Sequence, residues 1–158
     1  MTVTVITVGT LKESYLREAV TEYKKRLSQY ARVEEIELSE VKIRDEDDSS
    51  EISRALEAEG EKILARIPGG SYKIALCVEG KMLSSEELAE KIEEISQTHG
   101  ELCLIIGSSY GLSERVKAAC RMRLSVSKLT FPHQLMRVLL LEAVYRGFQI
   151  NKGTQYHK

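Results

Sequence analysis

The three histidines, three cysteines and one dense acidic run of this 158-residue chain are the groups whose types most directly suggest proton or metal chemistry, and they are scattered through it. His133 follows Pro132 and shares one helical face with Gln134 and Arg137. It could exchange a proton near neutral pH, or it could simply pack or cap in the first turn after Pro132; the residue alone admits both. His99, just before Gly100, suits a helix C-terminus, where positive charge is favoured. His157 belongs to the terminal Tyr156-His157-Lys158, a position where chains ordinarily fray. Cys77, Cys103 and Cys120 are odd in number and lack metal-ligand spacing, so small reduced core residues are expected. The run Arg44-Asp45-Glu46-Asp47-Asp48 has no complementary ligands nearby. It is expected to be a mobile, solvated loop, and no metal site is anticipated.

The elements that must position these groups follow from periodicity. Residues 2–8 form an apolar strand ending at Gly9. Leu16, Ala19, Val20, Tyr23, Leu27 and Tyr30 recur at helical spacing from about Glu13. Val33, Ile36 and Leu38 mark a second strand. A loop over residues 41–50 precedes a helix carrying Ile52, Leu56, Glu59, Gly60, Ile63 and Ile67, which Pro68-Gly69-Gly70 stops. Residues 73–78 and 102–106 are nearly unbroken apolar strands of the kind covered on both faces. Between them, Ser84 and Glu87 open a helix as a capping box. A short helix from Ser113 leads to a last strand in which Met122, Leu124 and Val126 alternate with polar residues. The final helix is expected to begin at Pro132, with Thr130 as its cap.

Strand and helix alternate throughout, so the fold class is α/β, a parallel sheet sandwiched between helices on both faces. The length suits one domain over residues 1–158. Ligands of such sheets bind at the carboxyl ends of strands. Three of those ends, at 76–80, 107–111 and 126–131, are loops built for close backbone contact. Residues 107–111 read G-x-x-x-G, which is neither a P-loop nor a dinucleotide fingerprint. The loop Gly9-Thr10-Leu11-Lys12 lacks the Ser/Thr-rich cradle of a flavodoxin-like nucleotide binder. From Val138 to Tyr145 only Glu142 is charged. A helix apolar on all sides needs cover on all sides, here its own sheet and a second subunit.

The net charge of −1 is unevenly spread: residues 1–114 carry 14 Lys/Arg against 23 Asp/Glu, and residues 115–158 carry nine against one. The basic part could face phosphates, with Arg115, Lys117, Arg121 and Arg123 as candidates, or it could pair with other parts of the protein. No stretch is apolar enough to span a bilayer, and no export leader is evident, so a cytoplasmic protein without membrane association is expected.

The run S-x-S-K-x-T-F-P-H-Q-L-M-R-V-x-L-x-E-x-x-Y-R, closing on Y-H-K, resembles the ribosomal RNA large subunit methyltransferase H family. These are pseudouridine N3-methyltransferases of the SPOUT class. V-G-x-L-K near the start, E-G-K-M-L-S-S in the middle and I-G-x-S-x-G-L extend the likeness over essentially the whole chain. The resemblance implies a C-terminal trefoil knot whose loops hold S-adenosyl-L-methionine through Leu76, Gly107, Val126, Ser127, Lys128, Leu129, Thr130 and Phe131. It implies a homodimer acting on the ribosome, at N3 of a pseudouridine in helix 69 of 23S ribosomal RNA. The acceptor N–H must lose its proton, so the site should stabilise an anionic base edge. His133, Arg137, Tyr156, His157 and Lys158 are the candidates for catalysis, with the tail completing the partner subunit's site. Similar proteins carry Gly-Gly where this chain has Gly107-Ser108. Ser108 would be strained at a positive φ. The other reading on the same fold is therefore a ribosome-binding factor without catalysis.

Overall fold

A computed structural model describes residues 1–158. Ten elements follow in order: β1 (Thr2–Val8), α1 (Ser14–Leu27), β2 (Arg32–Leu38), α2 (Ser49–Arg66), β3 (Tyr72–Lys81), α3 (Ser85–Thr98), β4 (Glu101–Ile106), α4 (Glu114–Ala119), β5 (Met122–Leu124) and α5 (His133–Asn151). The strands form one sheet in the order β2-β1-β4-β3-β5. Every pairing in it is parallel.

Alternation along the strands divides the core between two faces. Val3 and Val5 of β1, Ile74 and Leu76 of β3, and Leu102 and Leu104 of β4 pack under α1, α3 and α5. Ile6, Val8, Ala75, Cys103 and Ile105 face the other way, against Ile63 of α2 and Val116 of α4. Crossovers toward the β2 edge use the first face and those toward the β5 edge the second, so all four share one hand, as parallel units require. The expected α/β sandwich with helices on both faces is the fold observed. The connections after β3 and β4 leave on opposite faces and open a crevice at those strand ends.

Several boundaries differ from expectation for local reasons. The acidic run is partly a helix cap: the Asp48 carboxylate accepts the Ser50 and Glu51 N–H groups, so α2 starts at Ser49. Glu51 then reaches back to accept the Arg44 N–H at 2.7 Å and the Asp45 N–H at 3.2 Å. β3 does not stop at Val78 but continues to Lys81. The register slips on the way, since Leu124 pairs with both Leu76 and Lys81 and residues 77–80 bulge out between them. Val78, expected in a covered strand, is 79% exposed as a result. β5 is only three residues long, so Val126 lies beyond it. Pro132 occupies the cap position of α5 and no side chain caps the helix, so Thr130 does not have the role expected of it.

α5 lies between α1 and α3. Leu140, Leu141, Val144 and Phe148 face the subunit's own core. At Gly147 the contact with α3 is close enough that a Cβ would sit 2.7 Å from Ile92 Cδ1. Val138, Leu139, Ala143 and Tyr145 remain half-buried. Part of the cover for this outer side comes from the chain's own terminus: Tyr156 packs edge-on against Tyr145 with ring centroids 5.0 Å apart.

Candidate active site

A cavity of about 750 Å³ opens where β3, β4 and β5 end, and eleven of its 22 lining residues are hydrophobic. That volume and mixed lining suit a drug-sized amphiphile. All three strand-end loops contribute to it. Leu76, Gly107, Val126, Ser127, Leu129, Thr130 and Phe131 line it, as expected, while Lys128 alone of the eight does not.

Each loop is shaped by its own backbone. A Cβ on Gly107 would stand 2.1 Å from the Gly111 carbonyl oxygen, so only glycine permits this closure. The Gly111 N–H closes the turn on the Ser108 carbonyl at 2.9 Å, and Gly111 itself has φ +90°. Ser108 has no such demand placed on it, because no residue other than glycine has a positive φ. The expected strain at Ser108 is absent. A Cβ on Gly80 would meet the Leu124 carbonyl carbon at 2.5 Å, which explains how the bulged segment and the chain leaving β5 lie against each other. The third loop is held by serines. Ser125 Oγ donates to the Ser127 carbonyl at 3.1 Å, and the Leu129 N–H donates to Ser127 Oγ at 3.0 Å.

The ionisable groups of the lining are few. Lys117 pairs with Glu79, and this bond holds the Glu79 carboxyl below its ordinary value. Burial pushes the Cys77 thiol up, away from a reactive thiolate. His133 is the only imidazole on the wall. Its Nε2 and the Glu40 carboxylate both approach Gly9, each 3.8 Å from where a Cβ would be.

Arg137, one turn beyond His133, is not part of the wall. It is 3% exposed and its Nη1 lies 2.8 Å from Glu37 and 3.7 Å from Glu35, both on β2. Its Nη2 donates to the Gly9 carbonyl at 3.2 Å. The sequence placed Arg137 beside His133 on one face; the fold makes it a clamp between α5 and the β1–β2 end of the sheet.

The family model described as "Predicted SPOUT methyltransferase" matches residues 1–157. The chain belongs to the SPOUT methyltransferases. It is 45% identical over 159 residues to "Ribosomal RNA large subunit methyltransferase H" of Clostridioides difficile (strain 630), covering 100% of both chains. It is 47% identical over 159 residues to the protein of the same name from Clostridium novyi (strain NT), again covering 100% of both. The crystal structure of tRNA (m1G37) methyltransferase from Aquifex aeolicus has the same fold, with a TM-score of 0.51, 15% identity and coverage of 92% of this chain and 70% of that one.

In this SPOUT methyltransferase the terminal tail is folded down, not frayed, and it lies outside the subunit's own cavity. The Tyr156 hydroxyl donates to Glu142 at 2.8 Å, and the Arg146 guanidinium stacks 4.7 Å from the Tyr156 ring centre. Burial, then the bond to Glu142, push the Tyr156 phenol up. His157 Nε2 lies 2.8 Å from Glu86 at the start of α3, and Lys158 is exposed. His133 is therefore the one catalytic candidate that the SPOUT fold brings to the cavity within a single subunit.

Cys77, Glu79, Ser109 and Tyr110 lie within the strand-end loops that the sequence singled out, whereas it gave no sign that Met136 and Lys117 line the cavity. The pairing of Glu79 with Lys117 could not be read from the sequence, because it spans a bulge that no local pattern announces.

Proposed function

We propose that this SPOUT methyltransferase modifies large-subunit ribosomal RNA, transferring a methyl group to N3 of a pseudouridine in helix 69 on the ribosome as a homodimer. The observation that carries the reading is the 750 Å³ cavity made by three strand-end loops, in a chain whose whole length matches ribosomal RNA methyltransferases. The cavity's size and half-apolar wall fit S-adenosyl-L-methionine, with Leu76, Gly107, Val126, Ser127, Leu129, Thr130 and Phe131 as the holding groups. When bound, the cofactor supplies an electrophilic methyl on a good leaving group. The resemblance further implies that these loops belong to a C-terminal trefoil knot.

The protein's own work is positioning and charge. The acceptor nitrogen becomes anionic as it loses its proton. The N-terminus of α5, whose first N–H groups have no side-chain cap, presents positive partial charge at the cavity mouth. His133 stands there to accept or steer the proton. Arg137 acts through His133: its grip on Glu37 and the Gly9 carbonyl fixes the first turns of α5, so it is a positioning residue and not a catalytic one. Tyr156, His157 and Lys158 are assigned to acceptor binding and catalysis in the partner subunit's site, a reading supported by their lying outside their own cavity. The ordinary backbone at Ser108 removes the motive for a non-catalytic factor. On this reading it acts beside cytoplasmic ribosomes, as the names of its relatives suggest.

The test is mass spectrometry of ribosomal RNA from a strain lacking this protein, with and without the protein restored. A methylated pseudouridine should vanish and return. An unchanged modification profile would overturn the proposal.

A further inference from the structure

The fold sorts the chain's charges to opposite edges of its sheet. β2 forms one edge and β5 the other, in the order β2-β1-β4-β3-β5. β2 carries Glu34, Glu35 and Glu37, with Glu40 just beyond it. Around β5 the balance reverses: residues 115–133 hold five cations and no acid. Four strand spacings amount to about 19 Å, well beyond the screening length of about 8 Å at physiological salt. An anion at the β5 edge therefore meets the local cations and not the net charge of the chain.

The ion pairs decide which of these cations are free. Lys117 is engaged by Glu79 and Glu114. Arg123 lies 3.6 Å from Glu114, whose side chain is 77% exposed, so water weakens that bond. Arg121 and Lys128 are exposed and neither is paired with a carboxylate. Lys81, which faces Leu124 across the pairing of β3 with β5, is exposed and unpaired as well.

Their placement has a direction. Arg121 immediately precedes β5, where its N–H donates to the Lys73 carbonyl at 3.0 Å. The strand then covers about 10 Å. Lys128 follows in the third loop, between Ser127 and Leu129, which both line the cavity. The cations thus run along the free edge of the sheet and end at the cavity mouth. A small anion would need them to converge on one point. A row that leads into a site suits a polyanion, one unit of which enters that site. Charge on an edge strand also discourages pairing with other sheets, but that task needs nothing on the loop at Lys128.

We propose that the β5 edge is the track on which the acceptor RNA lies, its backbone phosphates held by Arg121, Arg123, Lys81 and Lys128 as the target nucleotide enters the cavity. The inference rests on RNA being the acceptor and names the surface that receives it.

The experiment is fluorescence anisotropy of the labelled full-length protein with ribosomes purified from a strain lacking it, at salt from about 50 to about 200 mM. Arg121→Gln and Lys128→Gln should each raise Kd about three- to fivefold and flatten the slope of log Kd against log salt by about 0.7, as one lost phosphate contact does. Arg121→Glu should bind more weakly than Arg121→Gln, whereas blocking the edge would be served by either sign of charge. Arg32→Gln removes the same charge at the β2 edge, where Arg32 pairs with Glu34 at 2.8 Å, and should change neither Kd nor slope. Cofactor affinity by calorimetry and the thermal midpoint should be unchanged in Arg121→Gln.

Wild-type Kd and slope in both Arg121→Gln and Lys128→Gln would overturn the inference. So would an equal loss in Arg32→Gln, which would make net charge the cause. A change in subunit dissociation by sedimentation, with ribosome binding unaltered, would mark the edge as a contact between copies and overturn it too. If the wild type binds ribosomes without salt dependence, or not at all, RNA as the acceptor falls and this inference falls with it. Salt-dependent wild-type binding with indifferent variants defeats the inference alone.

Discussion

Replacing Arg137 with Met keeps much of the side chain's volume and removes the charge that clamps α5 to β2. The arginine is 3% exposed, whereas the side chains of Glu35 and Glu37 are 19% and 41% exposed. Breaking a fully buried pair costs about 3–5 kcal/mol, mostly through the charge left stranded. Here the stranded groups are carboxylates that already meet water, so the expected cost is lower, about 2–3 kcal/mol. For a chain of this size that corresponds to about 5–10 °C in the midpoint of unfolding. Glu37→Gln should cost less, because Glu35 and the Gly9 carbonyl still face the guanidinium. Urea unfolding at fixed subunit concentration measures both, with methyl transfer assayed at a temperature where each variant is folded. Arg137→Met should be clearly destabilised and retain some transfer. A variant as stable as wild type, binding cofactor normally and yet without any transfer, would refute the argument and return Arg137 to direct catalysis.

Deleting Tyr156, His157 and Lys158 should leave cofactor affinity nearly intact by calorimetry and abolish transfer. Mixing such chains with Gly107→Trp chains should restore one working site if the tail serves the partner, and nothing if it serves its own subunit. Sedimentation should show a dimer at micromolar concentration. Leu139→Arg, on the half-buried side of α5, should shift it toward monomer, whereas Leu140→Arg should unfold the subunit because Leu140 lies in its core. Burial pushes the Cys103 thiol to about 12 and the Cys120 thiol to about 11. Iodoacetamide at pH 8 should therefore leave both unmodified in the native protein by mass spectrometry, since thiols with values that high are almost wholly protonated there.

What the sequence disclosed and what it withheld divide along the range of the interactions. The apolar runs at 73–78 and 102–106 and the capping box at Ser84 and Glu87 are local patterns, and the elements formed where they stood. The three cavity loops were legible because ligands of a parallel sheet bind at the carboxyl ends of its strands, and three such ends converge here. The surroundings of Arg137 were not legible because its partners Glu35 and Glu37 lie about a hundred residues earlier, and helical spacing shows only who shares a face, not what that face meets. Val78 looked like core because hydrophobicity does not encode a register slip. Thr130 looked like a cap, but Pro132 took that position without any side-chain bond. The tail could not be placed by composition, since its anchors Glu86 and Glu142 are ordinary charged residues on two different helices.

The double pairing of Leu124 with Leu76 and Lys81 also orders events in the life of the chain. One wall of the cavity, from residues 124 to 133, lies in the last quarter to be synthesised, and nothing earlier in the sequence can stand in for it. Chains begin to fold from the N-terminus during synthesis, so β1 to β4 can assemble while the wall is still unmade. A nascent copy that lacks these residues therefore has no complete cavity, and the cavity closes when the last helix settles between α1 and α3.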